Sequence, residues 1–479
     1  MKTLNIKIKH VSSTNQFQEV VSPYSGEVIA KMELADDKAI EQALANSVNY
    51  YNSIMKNMPA HKRADILNNV AKQIQENHED LSMTIAKEGG KPLTDARAEV
   101  TRAINTIETC AMVALTIHGE EIRMDRTAKG ENHTAFTIKQ SIGPVLAISA
   151  FNHPVNLIAH QLATAFAAGN TVILKPSSST PISAYKVVEF FENAGLDSGV
   201  ISFLGISNEQ ADKLVSDKRL KFITFIGSSR VGWGIRRKAH NGVRMAFEHG
   251  GTAVCTVDKS ANLDKAVPKI AKHAFYHAGQ VCVSTQNVFV HADIYDTFLE
   301  ELIVETKKMK TGDPTDSATE VGPLIRKSEV DRVISWVNEA VSEGAKVEYG
   351  FENIGNQCLT PTIITNVSTK MKIFKDEVFG PTVNILKYND LQEPIDAINN
   401  NEYCFQDSIF AQDIDVAMHY ARNISTKAVM INEGTAFRVD WMPFGGTADS
   451  GLGFGGVKHS IEDMMDEKMI MINSSYSGE

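Results

Sequence analysis

Cys282 stands in the run His277-Ala278-Gly279-Gln280-Val281-Cys282-Val283-Ser284, directly after a helical stretch and close to a glycine. A thiol so placed is either a small buried hydrophobe or a nucleophile at a loop or helix terminus, where backbone N–H groups favour the thiolate. Glu248 follows an apolar run and precedes Gly250-Gly251. A carboxylate there caps a turn, or serves as a partly desolvated general base with a raised pKa. Asn152 follows another apolar run; its amide either satisfies a loop backbone or donates to an oxyanion. His273 and His277 lie four residues apart, the spacing of a metal pair or of a base near Cys282. No third ligand is close in sequence, so the two read as a helix-surface pair and no metal is expected.

The elements that must position these residues are visible as a pattern. Residues 36–118 read as helical, with patterned runs at 39–51, 60–77 and 96–115. Short β-rich runs follow at 145–149, 171–175, 200–204, 222–226 and 243–247, with helical stretches or turn signals between them, including 182–193 and 209–216. Strand, helix, strand at this spacing is the signature of a parallel, doubly wound sheet. A second series has strands near 253–257, 287–290, 362–365, 382–386 and 429–432, separated by helices near 265–277, 294–308, 327–343 and 416–423. The expected class is therefore α/β, with two such domains in series dividing near residue 250. Ligands bind beyond the carboxyl ends of parallel strands. Four of the first five strand ends carry polar or glycine-rich residues: Phe151-Asn152-His153, Lys175-Pro176-Ser177-Ser178, Gly227-Ser228-Ser229 and Glu248-His249-Gly250-Gly251.

Composition narrows the class of protein. The 479 residues are 43% hydrophobic and 22% charged, which fits an ordinary globular chain of two or three domains. With 48 basic and 58 acidic residues the net charge is −10, which argues against broad binding to nucleic acid or an acidic membrane. Five scattered cysteines (Cys110, Cys255, Cys282, Cys358 and Cys404) form no disulfide framework and no C-x-x-C pair. The first ten residues lack the apolar core of a signal peptide. The longest apolar-rich tract, 142–174, is broken by Asn152, His153, Asn156, His160 and Gln161, so it does not read as a membrane span. The expectation is a cytoplasmic protein with reduced thiols.

Seven ordered motifs give the chain a resemblance to the aldehyde dehydrogenase superfamily. They are Ala150-Phe151-Asn152-His153-Pro154, the run from Ala168 to Pro176, Phe225 to Gly232, Phe247-Glu248-His249-Gly250-Gly251, Gly279-Gln280-Val281-Cys282, Glu377-Val378-Phe379-Gly380-Pro381 and Pro443-Phe444-Gly445-Gly446. The resemblance implies that Cys282 attacks an aldehyde carbon and that the Asn152 amide and the Cys282 backbone N–H hold the oxyanion. Hydride then passes to a nicotinamide, and Glu248 activates water to release the acid from the thioester. It also implies that Phe151, Lys175, Ser178, Gly227, Ser228, Gly232, His249, Gly250, Glu377 and Phe379 surround the cofactor. A Rossmann-like cofactor domain is expected over residues 1–122 and 142–247, and an α/β catalytic domain over 248–446. Strand-forming oligomerisation arms are expected at 123–141 and 460–475, and an apolar terminal strand there suits a homodimer or homotetramer.

Two departures from the family pattern bear on ligands. Ser178 stands where NAD-preferring members usually carry a glutamate, so nothing repels a 2′-phosphate, and NADP is expected to be favoured with NAD accepted. Basic residues, namely Arg102, His153 and Arg438, are expected to converge on the substrate funnel, which Val281 and Val283 also line. Arginine binds oxyanions through two parallel hydrogen bonds, so an aldehyde with a sulfonate, phosphonate, phosphate or carboxylate tail is expected. The segments around His153 and Arg438 resemble the branch that handles phosphonoacetaldehyde, sulfonated aldehydes or lactaldehyde. A lactaldehyde-, glycolaldehyde- or semialdehyde-type substrate is the alternative. Glu248 favours release to water over release to coenzyme A. The joint presence of Cys282, Glu248, Asn152 and Lys175 argues against a non-catalytic structural or redox-sensing protein.

Overall fold

The computed structural model describes residues 2–11 and 13–474. Its first large sheet has six strands. In spatial order these are Gly451–Leu452, Arg244–Glu248, Phe222–Ile226, Val145–Ile148, Val172–Lys175 and Ile201–Phe203. All pair in parallel except Gly451–Leu452, which runs antiparallel to Arg244–Glu248. Val145–Ile148, the earliest of the five parallel strands, lies in the middle. The chain winds outward from it in one direction through Val172–Lys175, and returns to its other side at Phe222–Ile226. The order of winding thus reverses between Val145–Ile148 and Phe222–Ile226, which is where such sheets open a crevice for ligands. Apolar clusters cover both faces, one built with the amino-terminal helices and one on the opposite side. Near-continuous apolar strands such as Val145–Ile148 are the expected consequence of burial on both faces.

The chain leaves this sheet at Glu248 and enters the second at Val254. The second sheet has seven strands: Lys346–Tyr349, Thr362–Thr365, Thr382–Tyr388, Asn287–His291, Val254–Val257, Gln406–Phe410 and Ala428–Ile431. Only the edge strand Lys346–Tyr349 is antiparallel to its neighbour. Its core is a separate apolar cluster.

Buried carboxylates from distant segments cap two helices of the first half. Glu88 accepts from the N–H groups of Ile182 and Ser183, both at 2.8 Å, at the start of the helix Pro181–Asn193. Glu99 accepts from Val155 and Asn156 at the start of the helix Asn156–Ala167. Each occupies a helix amino terminus, where unsatisfied N–H groups and the helix dipole favour negative charge. The helix Asn156–Ala167 is thereby fixed directly after the Asn152 loop.

The strands Glu121–Ile122, His133–Ser141 and Met465–Asn473 form a third, antiparallel sheet, in which the two longer strands pair over nine residues. The arms are shorter than expected. Residues 460–463 are not strand but part of the helix Val457–Asp463, because Val457 and Ile461, one turn apart, are both buried against the first core. Residues 123–132 are mostly turns, including the short helix Ala128–Gly130. Residue 475, the expected end of the arm, lies outside the described residues, as do residues 1 and 12. Among the described residues, no helix is long and apolar enough to cross a membrane.

Candidate active site

Segments that follow the strands of the first sheet meet segments of the second half: Asn152 reaches the Gln280 carbonyl, Gly251 donates to Glu377, and Glu248 lies close enough to Cys282 to act on its charge. Cys282 lies in a small apolar cluster with Val281, Val283, Phe405 and Phe444, bordered by Tyr276 and Ala436. The segment before it is unusual. After the helix Leu263–Phe275 the chain turns through His277 (φ 48°), Ala278 (φ 55°) and Gly279 (φ 71°), all left-handed. Left-handed non-glycine residues cost ~1–2 kcal/mol each, so packing must hold this turn. Gly279 has no alternative, because a Cβ there would lie 2.0 Å from the Gly380 carbonyl oxygen. The turn throws Gln280 back, and its side chain anchors the loop by donating to the His277 and Pro323 carbonyls and accepting from the Ile325 N–H.

His273 and His277 are therefore not a helix-surface pair. His277 is fully buried in the left-handed turn with neither ring nitrogen hydrogen-bonded, while His273 Nδ1 accepts from the Ala436 N–H. Among the described residues, no group of His, Cys, Asp or Glu could hold a metal ion.

The backbone N–H of Cys282 does favour the thiolate, but other effects outweigh it. Burial, with Glu248 and Glu377 nearby, pushes the thiol up to about 12 against the opposing pull of Arg438. Cys282 rests as a thiol, and a base must take its proton. Burial likewise lifts the Glu248 carboxyl above the ordinary carboxylate range, with Arg438 opposing. A raised carboxyl pKa brings a base closer to neutrality, where proton transfer is most efficient. The Asn152 amide donates one hydrogen to the Gln280 carbonyl at 2.9 Å. That contact satisfies the loop backbone and fixes the amide, whose second N–H is a further donor. This arrangement can perform nucleophilic addition to a carbonyl, with an amide donor fixed nearby and a carboxylate to manage protons.

Around the crevice of the first sheet, Gly227 and Ser228 follow the strand Phe222–Ile226 and lead into the helix Ser229–Lys238. Gly232 on that helix lies against the His249 ring, since a Cβ there would fall 1.9 Å from Nε2. His249 is thereby held beneath the helix, with Nδ1 2.9 Å from the Asp449 carbonyl. Gly250 leaves room for the Glu377 carboxylate, which accepts from the Gly251 N–H at 3.1 Å and is raised by burial to about 7. Phe379, itself left-handed (φ 46°), meets Phe151 edge to face at 5.9 Å. Lys175 ends its strand half-buried, with burial alone pushing its pKa down, and Ser178 is exposed three residues on. A half-buried ammonium at the end of one strand and a glycine turn opening a helix, two strands away at the same end of the sheet, suit an anionic, hydroxyl-rich ligand. These residues fit a nicotinamide dinucleotide.

Arg102 and Arg438, two of the basic residues expected at the substrate funnel, meet at one buried carboxylate. Arg102 donates both Nε (3.0 Å) and Nη2 (2.9 Å) to the Asp440 carboxylate. Asp440 also accepts from Asn156 Nδ2 at 2.9 Å, and His160 Nε2 lies 2.9 Å from the same carboxylate. Arg438 Nε stands 3.6 Å away. Burial pushes the Asp440 carboxyl up, but His160 and Arg102 prevail and hold it well below the usual range. The Arg438 guanidinium lies over the Phe444 ring at 3.5 Å, with its Nη1 buried and unpartnered.

His153 is corrected as a cation. It is buried beside Tyr276, whose hydroxyl lies 3.4 Å from Nε2, and its pKa is driven well down. Burial is the main cause, and the charges of Lys91, Arg102 and Arg438 add to it. It enters the funnel as a neutral ring. Asp440, His160, Asn156 and Tyr276 were not singled out as site residues from sequence. Asp440 lies two residues after Arg438, and Asn156 and His160 share a helix face four residues apart, which is the signal that was available.

Comparison with known proteins identifies the family. The family model "Aldehyde dehydrogenase family" matches residues 10–470. A 3-sulfolactaldehyde dehydrogenase of Priestia aryabhattai is 39% identical over 463 residues, 96% of both chains. The crystal structure of aldehyde dehydrogenase 21 from Physcomitrella patens, in complex with the reaction product succinate, superposes with a TM-score of 0.96. It is 34% identical, with 99% of each chain covered. A glyceraldehyde-3-phosphate dehydrogenase from Methanocaldococcus jannaschii complexed with NADP gives 0.92 at 36% identity, covering 96% of this chain and all of that one. The chain belongs to the aldehyde dehydrogenase family, whose members oxidise aldehydes with NAD(P).

Proposed function

We propose that this enzyme oxidises a small aldehyde with an anionic tail to the carboxylic acid. The observation that carries the reading is Arg438, whose side chain is 9% exposed and keeps an unpartnered Nη1 beside the cluster that holds Cys282. A buried guanidinium N–H without an acceptor is costly unless a ligand supplies one. The named activity of the Priestia relative involves a sulfonate, and the Physcomitrella structure holds a dicarboxylate product, which supports the same reading.

In the proposed chemistry the Cys282 sulfur adds to the aldehyde carbon as its proton passes to solvent, which leaves the Glu248 carboxylate free for the second half-reaction. The developing oxyanion is held by the Asn152 amide and the Cys282 N–H. The nicotinamide supplies the hydride acceptor when bound. Glu248 then takes a proton from water, whose oxygen attacks the thioester and releases the acid and the Cys282 thiol. Phe151, Glu377, Phe379, Gly250 and His249 surround the nicotinamide half. Lys175, Ser178, Gly227, Ser228 and Gly232 surround the adenosine half.

For the cofactor, the reading is NADP favoured over NAD, supported by the exposed Ser178 close to the Lys175 ammonium. Residues 1–122 and 142–247 serve as the cofactor domain and 248–446 as the catalytic domain. The sheet of His133–Ser141 and Met465–Asn473 pairs between copies in a dimer or tetramer, supported by the exposed apolar side chains Phe136, Ile138, Met469, Met471 and Ile472. Five free thiols suit the cytoplasm.

Glu248→Gln should release a burst of about one reduced nicotinamide per site and then stall, because addition survives and hydrolysis does not. Steady turnover without a burst would remove Glu248 from the second half-reaction. In the native enzyme the ionised carboxylate is the active form and its pKa is raised, so kcat should fall with acid at a pH above the ordinary carboxyl range. A fall only at the ordinary value would contradict this. Arg438→Ala should raise KM for sulfoacetaldehyde by ~10-fold or more and affect propanal far less, with Arg102→Ala following in the same direction; equal effects would remove the anionic tail. Comparing kcat/KM for NADP and NAD in the native enzyme and in Ser178→Glu tests the cofactor. NADP should lead in the first and lose ground in the second, whereas a native preference for NAD would overturn the assignment. Light scattering should give the mass of two or four chains, and the mass of one would refute pairing through the terminal strand.

A further inference from the structure

We propose that the funnel is built for a tail bearing a single negative charge, a sulfonate or carboxylate, and discriminates against phosphonate and phosphate dianions through Asp440. The inference rests on the anionic-aldehyde reading above and asks how much negative charge the funnel can neutralise.

The charges facing the funnel can be counted. Arg102 and Arg438 each contribute one positive charge. Asp440 removes one of them: both hydrogen bonds from the Arg102 guanidinium end on it, and Arg438 stands 3.6 Å from the same carboxylate. Two further donors, Asn156 and His160, complete its shell, so the carboxylate is 2% exposed and fixed in place. His153 is buried with its pKa driven well down, and burial also pushes down the pKa of His160, whose ring is set against Asp440. The next cations out are already matched: Lys91 pairs with Glu99 with both side chains fully buried, and Lys272 pairs with Asp95 at 2.8 Å. On either side of Cys282 stand Val281 and Val283, which bring no charge.

Within the Arg102–Asp440–Arg438 cluster two positive charges and one negative leave a surplus of one, located at Arg438, whose Nη1 is unpartnered, and Glu248, once ionised, draws on that same charge. A monoanionic tail cancels that surplus. A dianion leaves one negative charge uncompensated in a buried site, on the same side as Glu248, which also faces Arg438 and must ionise to release the product. Unit charges a few ångströms apart at the effective dielectric of a protein interior interact strongly enough to change a rate constant by ~10-fold or more.

The test uses sulfoacetaldehyde and phosphonoacetaldehyde, which share a carbon skeleton and differ in tail charge, with propanal as the neutral reference. At pH 8 the native enzyme should show kcat/KM for the sulfonate at least about tenfold above that for the phosphonate. As the pH is lowered toward 6, the phosphoryl tail takes up its second proton and the ratio should shrink toward one. Asp440→Asn raises the surplus to two and should shift the pH 8 ratio about tenfold toward the phosphonate. If that variant does not fold, the pH dependence in the native enzyme stands as the test by itself. Equal preference for both anions over propanal at pH 8, or a ratio independent of pH, overturns this inference and leaves the anionic-aldehyde reading intact. No preference for either anion over propanal overturns both.

Discussion

One buried carboxylate ties together the parts of the chain from which the substrate side of the site is made. Asp440 is held by Arg102 from the helix Leu93–Thr116, by Asn156 and His160 from the helix Asn156–Ala167, and approached by Arg438 from its own segment. The contacts span up to 338 positions in sequence. Removing one partner of such a buried pair leaves a charge stranded and costs ~3–5 kcal/mol. The constraint spreads outward through the same helices. Leu93–Thr116 also carries Glu99, which caps the helix bearing His160 and pairs with Lys91. The loop presenting Asn152 is therefore held by the helix that follows it, and that helix by two carboxylates.

On the cofactor side the corresponding constraint is steric. Gly232, Gly250 and Gly279 are each pressed against a group that a Cβ would overlap: the His249 ring, the Glu377 carboxylate and the Gly380 carbonyl. Of the three, the Gly250–Glu377 contact ties the segment that follows the first sheet to the loop before the strand Thr382–Tyr388. The left-handed turn before Cys282 persists because Gln280 and the Gly380 backbone hold it from both sides. Its strain is local, and it sits next to the residue whose sulfur must be aimed.

Most of the sheet architecture was legible in the chain, because buried parallel strands are short apolar runs with polar residues at their ends. The five strands from Val145 to Glu248 fall within a residue or so of the expected runs. Gln406–Phe410 was not seen, although it is fully buried, because Gln406, Asp407 and Ser408 break its apolar pattern; Asp407 accepts from the Val254 N–H and Gln406 donates to the Thr435 and Phe437 carbonyls. The helix Asn156–Ala167 was obscured for the same reason, its buried Gln161 and Thr164 reading as interruptions. Charge states were the least legible part. A histidine or cysteine has no sequence mark for burial in a particular electrostatic surrounding, so the neutral His153 and the protonated Cys282 thiol emerge only when Lys91, Arg102, Glu248 and Arg438 are in place. Asp440 was hidden because its partners lie hundreds of positions away.

The pairing of His133–Ser141 with Met465–Asn473 has a consequence for how the molecule is made. Nine consecutive residue pairs join strands more than 320 positions apart, so one edge of the earlier strand stays open until the later strand has been made. Loop closure over that span is entropically slow. The later strand thus completes an element begun more than 320 positions earlier. A chain in which Met465–Asn473 has not yet docked carries an open β-edge along His133–Ser141, where another strand can pair in its place.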